Sequence, residues 1–218
     1  MMAIAGVRPV FQTLVLGFLA SFVLVRAASP QDAGDMAMNG ENGASLARAH
    51  VIGLEDAPVT ITVFQSFTNP LNALFYTSIY PVLEKKYVRS GKVKLVFKDF
   101  PFSSLAAKAA LAGQCFANDK FFDFAAIAFK QQKNWMESSN PQDSLRKIAV
   151  LAGIPGEDFD KCLANQEVLF AILDEKIRIM EAYDVDSPPV FLVNDKIARG
   201  EMTLKMFQKR IRAALKGQ

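Results

Sequence analysis

Two stretches of β-type sequence bracket a stretch of helical periodicity, and this arrangement limits the possible folds more than any other feature of the chain. In Val59–Phe64, Val59, Ile61 and Val63 alternate with Thr60 and Thr62, the period-two pattern of a strand with two unlike faces. Phe75, Ile79, Val82 and Leu83 then recur at helical spacing, predicting a helix over 70–87. Pro81 lies inside it and is expected to kink it, because proline removes a backbone hydrogen bond. Ser90-Gly91 ends the helix, and Val93–Phe97 is a second strand closed by Pro101. A right-handed crossover makes the two strands parallel.

A long helical tract follows. Helices are predicted over 103–116, over 121–132 with Phe122, Ala125, Ala126 and Phe129 on one face, over 143–152 and over 156–163. Another spans 167–183 with Leu169, Ile172, Leu173, Ile177 and Met180 as its apolar stripe. Residues 189–193 read as a strand, and Asp195–Gly200 begins its hairpin partner. Thr203 caps a final helix whose Phe207, Ile211 and Leu215 face the core, with Gly217 as its stop. The order is β-α-β, a helical insertion over about 103–183, then β-β-α. Periodicity alone does not separate this from other α/β arrangements.

The N-terminus has a different character. Arg8 precedes an apolar run of 16 residues, Val10–Val25, and Val25 and Ala27 fit the small-residue pattern of a signal peptidase site. Residues 1–27 are therefore read as a signal peptide, with an uncleaved anchor as the rival reading and the only route to a membrane. Residues 28–46, rich in Ala, Gly, Asn and Asp, form a flexible linker, and the folded domain is expected over 47–218. Residues 28–218 carry 23 basic and 22 acidic side chains. With no Lys/Arg run and no basic stripe apparent, nothing argues for nucleic acid. The single histidine, His50, is expected to be a solvated residue before the first strand. Without a second histidine there is no zinc site, and no cofactor is implied.

Four segments carry a resemblance to a known family. Residues 56–75, "DAPVTITVFQSFTNPLNALF", resemble the first strand and active-site helix of DsbA-like thioredoxin-fold thiol–disulfide oxidoreductases. "YVRSGKVKLVFKDFPF" resembles the family's second strand and the turn after it. "DKFFDFAAIAFKQQKNW" resembles its helical subdomain, and "VDSPPVFLVNDK" its cis-proline loop. The resemblance covers about 47–216. It implies the thioredoxin fold with an inserted helical subdomain, and a cis bond before Pro189.

It also implies that two cysteines should stand at the head of the first helix. This chain has Asn69-Pro70-Leu71-Asn72 there. The family's nucleophile is a thiolate whose pKa falls at a helix N-terminus, and a carboxamide has neither that nucleophile nor a redox couple. Asn and Pro are also favoured at N-cap and first-turn positions. Asn69 is therefore read first as a cap, and Asn72 alternatively as an amide offered to a ligand. In the family the residue before the cis-proline pairs with an extended peptide. Here that residue is Pro188, which lacks an N–H but offers its carbonyl, while Ser187 could donate.

The remaining cysteines, Cys115 and Cys162, are expected to form a disulfide in an exported chain, and their positions match a second, structural disulfide in some relatives. Two buried thiols or a relocated redox pair are the alternatives. The leading function is a non-catalytic module, chaperone-like or scaffolding, that binds an extended or unfolded polypeptide or an envelope protein in the periplasm. It would do so through Leu71, Leu74, Ser187, Pro188 and Pro189. The alternatives are redox activity through Cys115/Cys162 or a partner, and a glutathione-binding enzyme using the Ser66 or Thr68 hydroxyl.

Overall fold

The computed structural model describes residues 46–217. The expected signal segment 1–27 and the linker up to residue 45 lie outside the described residues. Five strands, β1 (His50–Ile52), β2 (Val59–Gln65), β3 (Val93–Asp99), β4 (Val190–Val193) and β5 (Lys196–Arg199), form one sheet in the order β1-β3-β2-β4-β5. β2 and β3 are parallel, in register from Val59 opposite Val93 to Gln65 opposite Asp99. The other neighbours are antiparallel.

Helix α1 makes the crossover from β2 to β3. It is continuous through Pro70–Leu74, Phe75–Ile79, Tyr80–Leu83 and Glu84–Val88. Pro81 does not end it. The turn before the proline widens, so that the Tyr80 N–H donates to the Phe75 carbonyl, and a second wide turn joins the Arg89 N–H to the Glu84 carbonyl. The first of these wide turns lies directly before Pro81, which cannot donate in the normal ladder.

Period two assigns the sheet's faces. Val59, Ile61 and Val63 join Leu95 and Phe97 in the main core. There the Phe75 ring lies 5.2 Å from Phe191, 5.6 Å from Phe207 and 6.4 Å from Phe97. Phe64 faces the other way, into a smaller cluster with Phe100, Ile179, Val185 and Val190.

Between β3 and β4 come α2 (Ser104–Gln114), α3 (Asn118–Lys130), α4 (Gln132–Met136), α5 (Pro141–Leu151), α6 (Gly156–Leu163) and α7 (Gln166–Tyr183). The buried face of α3 is Phe121, Phe124, Ala125, Ala128 and Phe129, while Ala126 is exposed. Ile172 and Ile179 are the fully buried positions of α7, and Ile177, expected on its apolar stripe, is exposed. Both shifts have one cause: each helix packs against a sheet or helix whose position periodicity does not contain. Val82 of α1 is likewise exposed.

The last helix, α8 (Leu204–Lys216), is capped by the Thr203 hydroxyl, which accepts from the Met206 N–H. Phe207 and Ile211 are buried, as its spacing predicts. Its outer face corrects the expectation of no basic stripe. Lys205, Lys209, Arg212 and Lys216 are all exposed, at spacings of four, three and four.

β1 was not anticipated from the sequence, and His50 belongs to it. The imidazole is buried and stacks on Phe121 with centroids 3.5 Å apart. Burial, then the nearby Arg48 charge, lowers its pKa to about 3. The outer edge of β1 is closed by the Asn118 amide, whose Oδ1 accepts from the Val51 N–H and whose Nδ2 donates to the Val51 carbonyl, both at 2.7 Å. Just upstream the Gln114 amide does the same for Arg48, accepting its N–H at 3.0 Å and donating to its carbonyl at 2.9 Å. Gln114 Nε2 also donates to Asp99 Oδ2 at 3.0 Å. Burial pushes the Asp99 carboxyl up to about 6, against the pull of the hydrogen bond from Gln114.

Cys115 and Cys162 are joined in a disulfide that ties the end of α2 to the last turn of α6. Among the described residues no helix is long and apolar enough to cross a membrane.

Two outcomes follow. Replacing both cysteines by alanine should cost up to about 4 kcal/mol, given a separation of 47 residues, read from urea unfolding midpoints. His50 stays neutral in the fold, so its stabilisation is present above its unfolded pKa of 6.5 and is lost as pH falls towards 3. Asp99 has a raised folded pKa, so its contribution is present below 3.8 and is lost as pH rises through about 6. The two slopes oppose each other between about pH 6 and 4. Asp99→Asn should expose the histidine slope, a fall of about 1.4 kcal/mol per pH unit relative to the parent in that window, measured by denaturation at stepped pH.

Candidate functional site

β2 runs out at Gln65, and Ser66, Phe67 and Thr68 carry the chain to Asn69 at the head of α1. Asn69 has extended backbone, and its Oδ1 accepts from the N–H groups of Leu71 at 2.8 Å and Asn72 at 3.4 Å. The Leu71 N–H is a donor that a helix start leaves without a partner, while the Asn72 N–H also reaches the Asn69 carbonyl at 3.1 Å. The other half of the amide is also engaged: Nδ2 donates to the Pro188 carbonyl at 2.9 Å. One side chain thus caps the helix and clamps it to the loop before β4.

The peptide bond between Pro188 and Pro189 is cis. Pro189 is buried, and its carbonyl accepts from the Gly200 N–H at 2.9 Å, which fixes the loop to the end of β5.

Asn72 does not present its amide outward. It is fully buried, and its Oδ1 accepts from the Ser66 N–H at 3.0 Å. Its Nδ2 has no partner among the described residues.

A residue that sequence reading passed over completes the arrangement. Gln132, the first residue of α4, donates through Nε2 to the carbonyls of Phe67 at 2.8 Å and Asn69 at 2.9 Å. It anchors the site to the helical layer. The only sequence signal for it was its place just before Trp135, whose indole N–H donates to the Ala128 carbonyl at 2.8 Å.

The surface around these amides is part apolar. Leu71 and Pro188 are half-buried, Pro70 is exposed, and Leu74 keeps 42% of its surface exposed. Leu74 is therefore not a core residue. Ser187 is exposed, with its hydroxyl 2.9 Å from Asp186 Oδ1, to which it donates. The backbone edge offered to an extended chain is narrower than the sequence suggests. Pro188 has no N–H, and one lone pair of its carbonyl is committed to Asn69.

Chemically the head of α1 holds no nucleophile. Both cysteines of the chain lie in the Cys115–Cys162 bond. The Asn69 oxygen faces N–H donors, and an amide nitrogen has no basic lone pair. Ser66 is buried with its Oγ 3.2 Å from Thr68 Oγ1. Among the described residues no histidine or carboxylate hydrogen-bonds either hydroxyl, so neither is activated in the way nucleophilic catalysis requires. No group of three or more metal-ligating side chains comes together among the described residues.

Comparison with known proteins fits this geometry. The thioredoxin family model matches residues 45–213, and the chain belongs to that family. A putative protein-disulfide oxidoreductase of Rickettsia prowazekii is 28% identical over 145 residues, covering 66% of this chain and 53% of the relative. The chain thus spans only about half of that protein's length. The disulfide bond formation protein D of Bacillus subtilis is 24% identical over 172 residues, covering 77% of this chain and 78% of the relative. Among solved structures, Wolbachia pipientis alpha-DsbA1 superposes with a TM-score of 0.75 at 21% identity, over 85% of this chain and 96% of that one. Oxidised BdbD from Bacillus subtilis gives 0.67 at 24% identity, over 77% and 93%. These structural likenesses establish the fold: a thioredoxin-like α/β fold of the DsbA type.

Asn69→Ala removes both the cap and the clamp and should cost about 1–3 kcal/mol. Asn69→Asp keeps the cap but sets a carboxylate against the Pro188 carbonyl. Amide hydrogen exchange in the 186–190 loop should therefore accelerate in both variants, with the aspartate variant losing less stability in urea unfolding.

Proposed function

We propose that this chain is a non-catalytic member of the DsbA-like group, which binds an extended or unfolded polypeptide or a protein partner of the cell envelope. The observation that carries this reading is the fate of the two asparagines. At the positions where the family resemblance calls for thiols, Asn69 and Asn72 put their amides into holding the site together. The surface around them keeps an exposed Leu74 and half-buried Leu71 and Pro188. A partly apolar surface without a nucleophile suits recognition without turnover.

Action outside the cytoplasm is supported by the apolar run at Val10–Val25 and by a disulfide, which oxidising compartments favour. The narrowed backbone edge at Pro188 favours side-chain contacts over strand pairing, as expected of a chaperone-like or scaffolding surface.

A second reading rests on a different observation. Cys115 and Cys162 are each half-buried, so solvent reaches the pair. The names of the relatives, protein-disulfide oxidoreductase and disulfide bond formation protein, make redox cycling of this bond the alternative. The pair sits at the ends of α2 and α6 rather than at a helix start, which removes the usual source of thiolate stabilisation.

One experiment separates them. The purified chain should show no insulin reduction, and its disulfide should stay closed under mild reductant in thiol-trapping assays. Installing Asn69→Cys with Asn72→Cys supplies the missing thiols and should bring activity on, at a cost in stability from the lost cap and clamp. Photo-crosslinkers at positions 71 and 74 should capture a polypeptide in cells, whereas one at the exposed Lys85, away from the site, should not. Disulfide turnover by the unmodified chain, or no capture from 71 and 74, would falsify the binding reading.

A further inference from the structure

The charge on this chain is segregated, and the segregation is concentrated on one helix. Residues 201–218 carry five basic and one acidic side chain, while residues 28–200 carry 18 basic and 21 acidic. Helix α8 itself contains no acidic residue. Lys205, Lys209, Arg212 and Lys216 fall within an arc of about 60° on the helix surface, given 100° per residue. All four are exposed, opposite the buried Phe207 and Ile211.

A stripe of this kind is commonly balanced by neighbouring carboxylates. Here the ion pairs among described residues lie elsewhere, on Glu55, Glu84, Asp123, Asp143, Asp158, Asp160 and Glu175, and none includes a basic residue of α8. Four aligned cations without counter-charges repel one another, and an external anionic surface relieves that repulsion. On one flank of the stripe sits Met206, 44% exposed, with Ala213 two turns further on, also exposed. Four Lys/Arg side chains clustered on one exposed helix face are a pattern that anionic lipid headgroups attract.

We propose that the outer face of α8 docks this protein on the anionic headgroups of a phospholipid bilayer. The occupant is argued from charge complementarity and from the chain's other end. The apolar run Val10–Val25, read above as a signal segment, would bring the polypeptide to a membrane during export, and residues 28–45 lie between it and the described domain; this support rests on that reading. The flat headgroup plane matches a straight stripe of at least three helical turns, and each cation near such a surface strengthens binding by about fivefold. This docking is independent of the groove at Asn69 and Pro188.

The test is co-sedimentation of the chain, as its host exports it, with vesicles of equal parts phosphatidylcholine and phosphatidylglycerol, against vesicles of phosphatidylcholine alone. The N-terminus is the same in every variant, so its contribution cancels. The parent should bind the anionic vesicles more tightly, and raising salt from about 0.05 to 0.5 M should weaken that binding through screening. The Lys205→Gln, Lys209→Gln, Arg212→Gln, Lys216→Gln variant should lose affinity for them by about 100-fold or more. The charge-keeping variant Lys205→Arg, Lys209→Arg, Arg212→Lys, Lys216→Arg should bind as the parent does.

Circular dichroism and melting temperature check folding. Should the fourfold variant not fold, the pairs Lys205→Gln with Lys209→Gln and Arg212→Gln with Lys216→Gln each replace it, with a loss of about 25-fold expected. Equal binding by the folded neutralised variant and the parent overturns the proposal. So does loss of binding in the charge-keeping variant, or binding of soluble polyglutamate without preference for anionic vesicles.

Discussion

Every backbone group at an open edge needs a partner, and in this molecule side-chain carboxamides supply several of them. An amide carries a donor and an acceptor side by side, the pattern a neighbouring strand would offer. Gln114 holds Arg48 in this way and Asn118 holds Val51. Asn194 gives its Oδ1 to the Thr60 N–H while its own N–H reaches the Thr60 carbonyl. Asn69 and Gln132 close the head of α1. The short β1 has only three residues to pair with β3, and its outer row depends on these amides. Through Gln114 the same network reaches the buried Asp99 at the end of β3.

The site is therefore continuous with the frame. Gln132 belongs to the helical layer, Asn69 to the crossover helix and Pro188 to the loop before β4, and two side chains bind all three together. Phe67, just ahead of Asn69, is buried with its ring stacked 4.8 Å from Phe129 of α3. This adds dispersion and area burial to the polar links. A site built this way is set in place before any partner arrives, which limits the ordering entropy lost on binding.

Much of this was legible in the sequence, for identifiable reasons. The central strands and α1 were readable because Val59, Ile61 and Val63 alternate with Thr60 and Thr62, and because Phe75 and Ile79 keep helical spacing. Asn69 was readable as a cap because capping is local. What escaped reading was non-local. His50 looks like a loop histidine until Phe121, 71 positions further on, is seen stacked beneath it. β1 is too short to show a period. Ile177 was placed on a buried stripe because periodicity fixes the angle between residues but not which side meets the sheet. The reach of Asn69 to Pro188 spans 119 positions, and the basic row on α8 emerges only when Lys205, Lys209, Arg212 and Lys216 are set on a helix instead of read along a line.

The sealed pair Cys115–Cys162, together with the absence of sulfur at the head of α1, fixes the kind of encounter this surface can have. A redox relative can hold its client through a transient covalent link, so capture does not depend on tight contact. The head of α1 has no atom with which to make that link. Under the binding reading proposed above, complexes formed at this surface form and dissociate by contact alone, and their lifetimes are then set by the off-rate, the quantity that most changes at an interface alter.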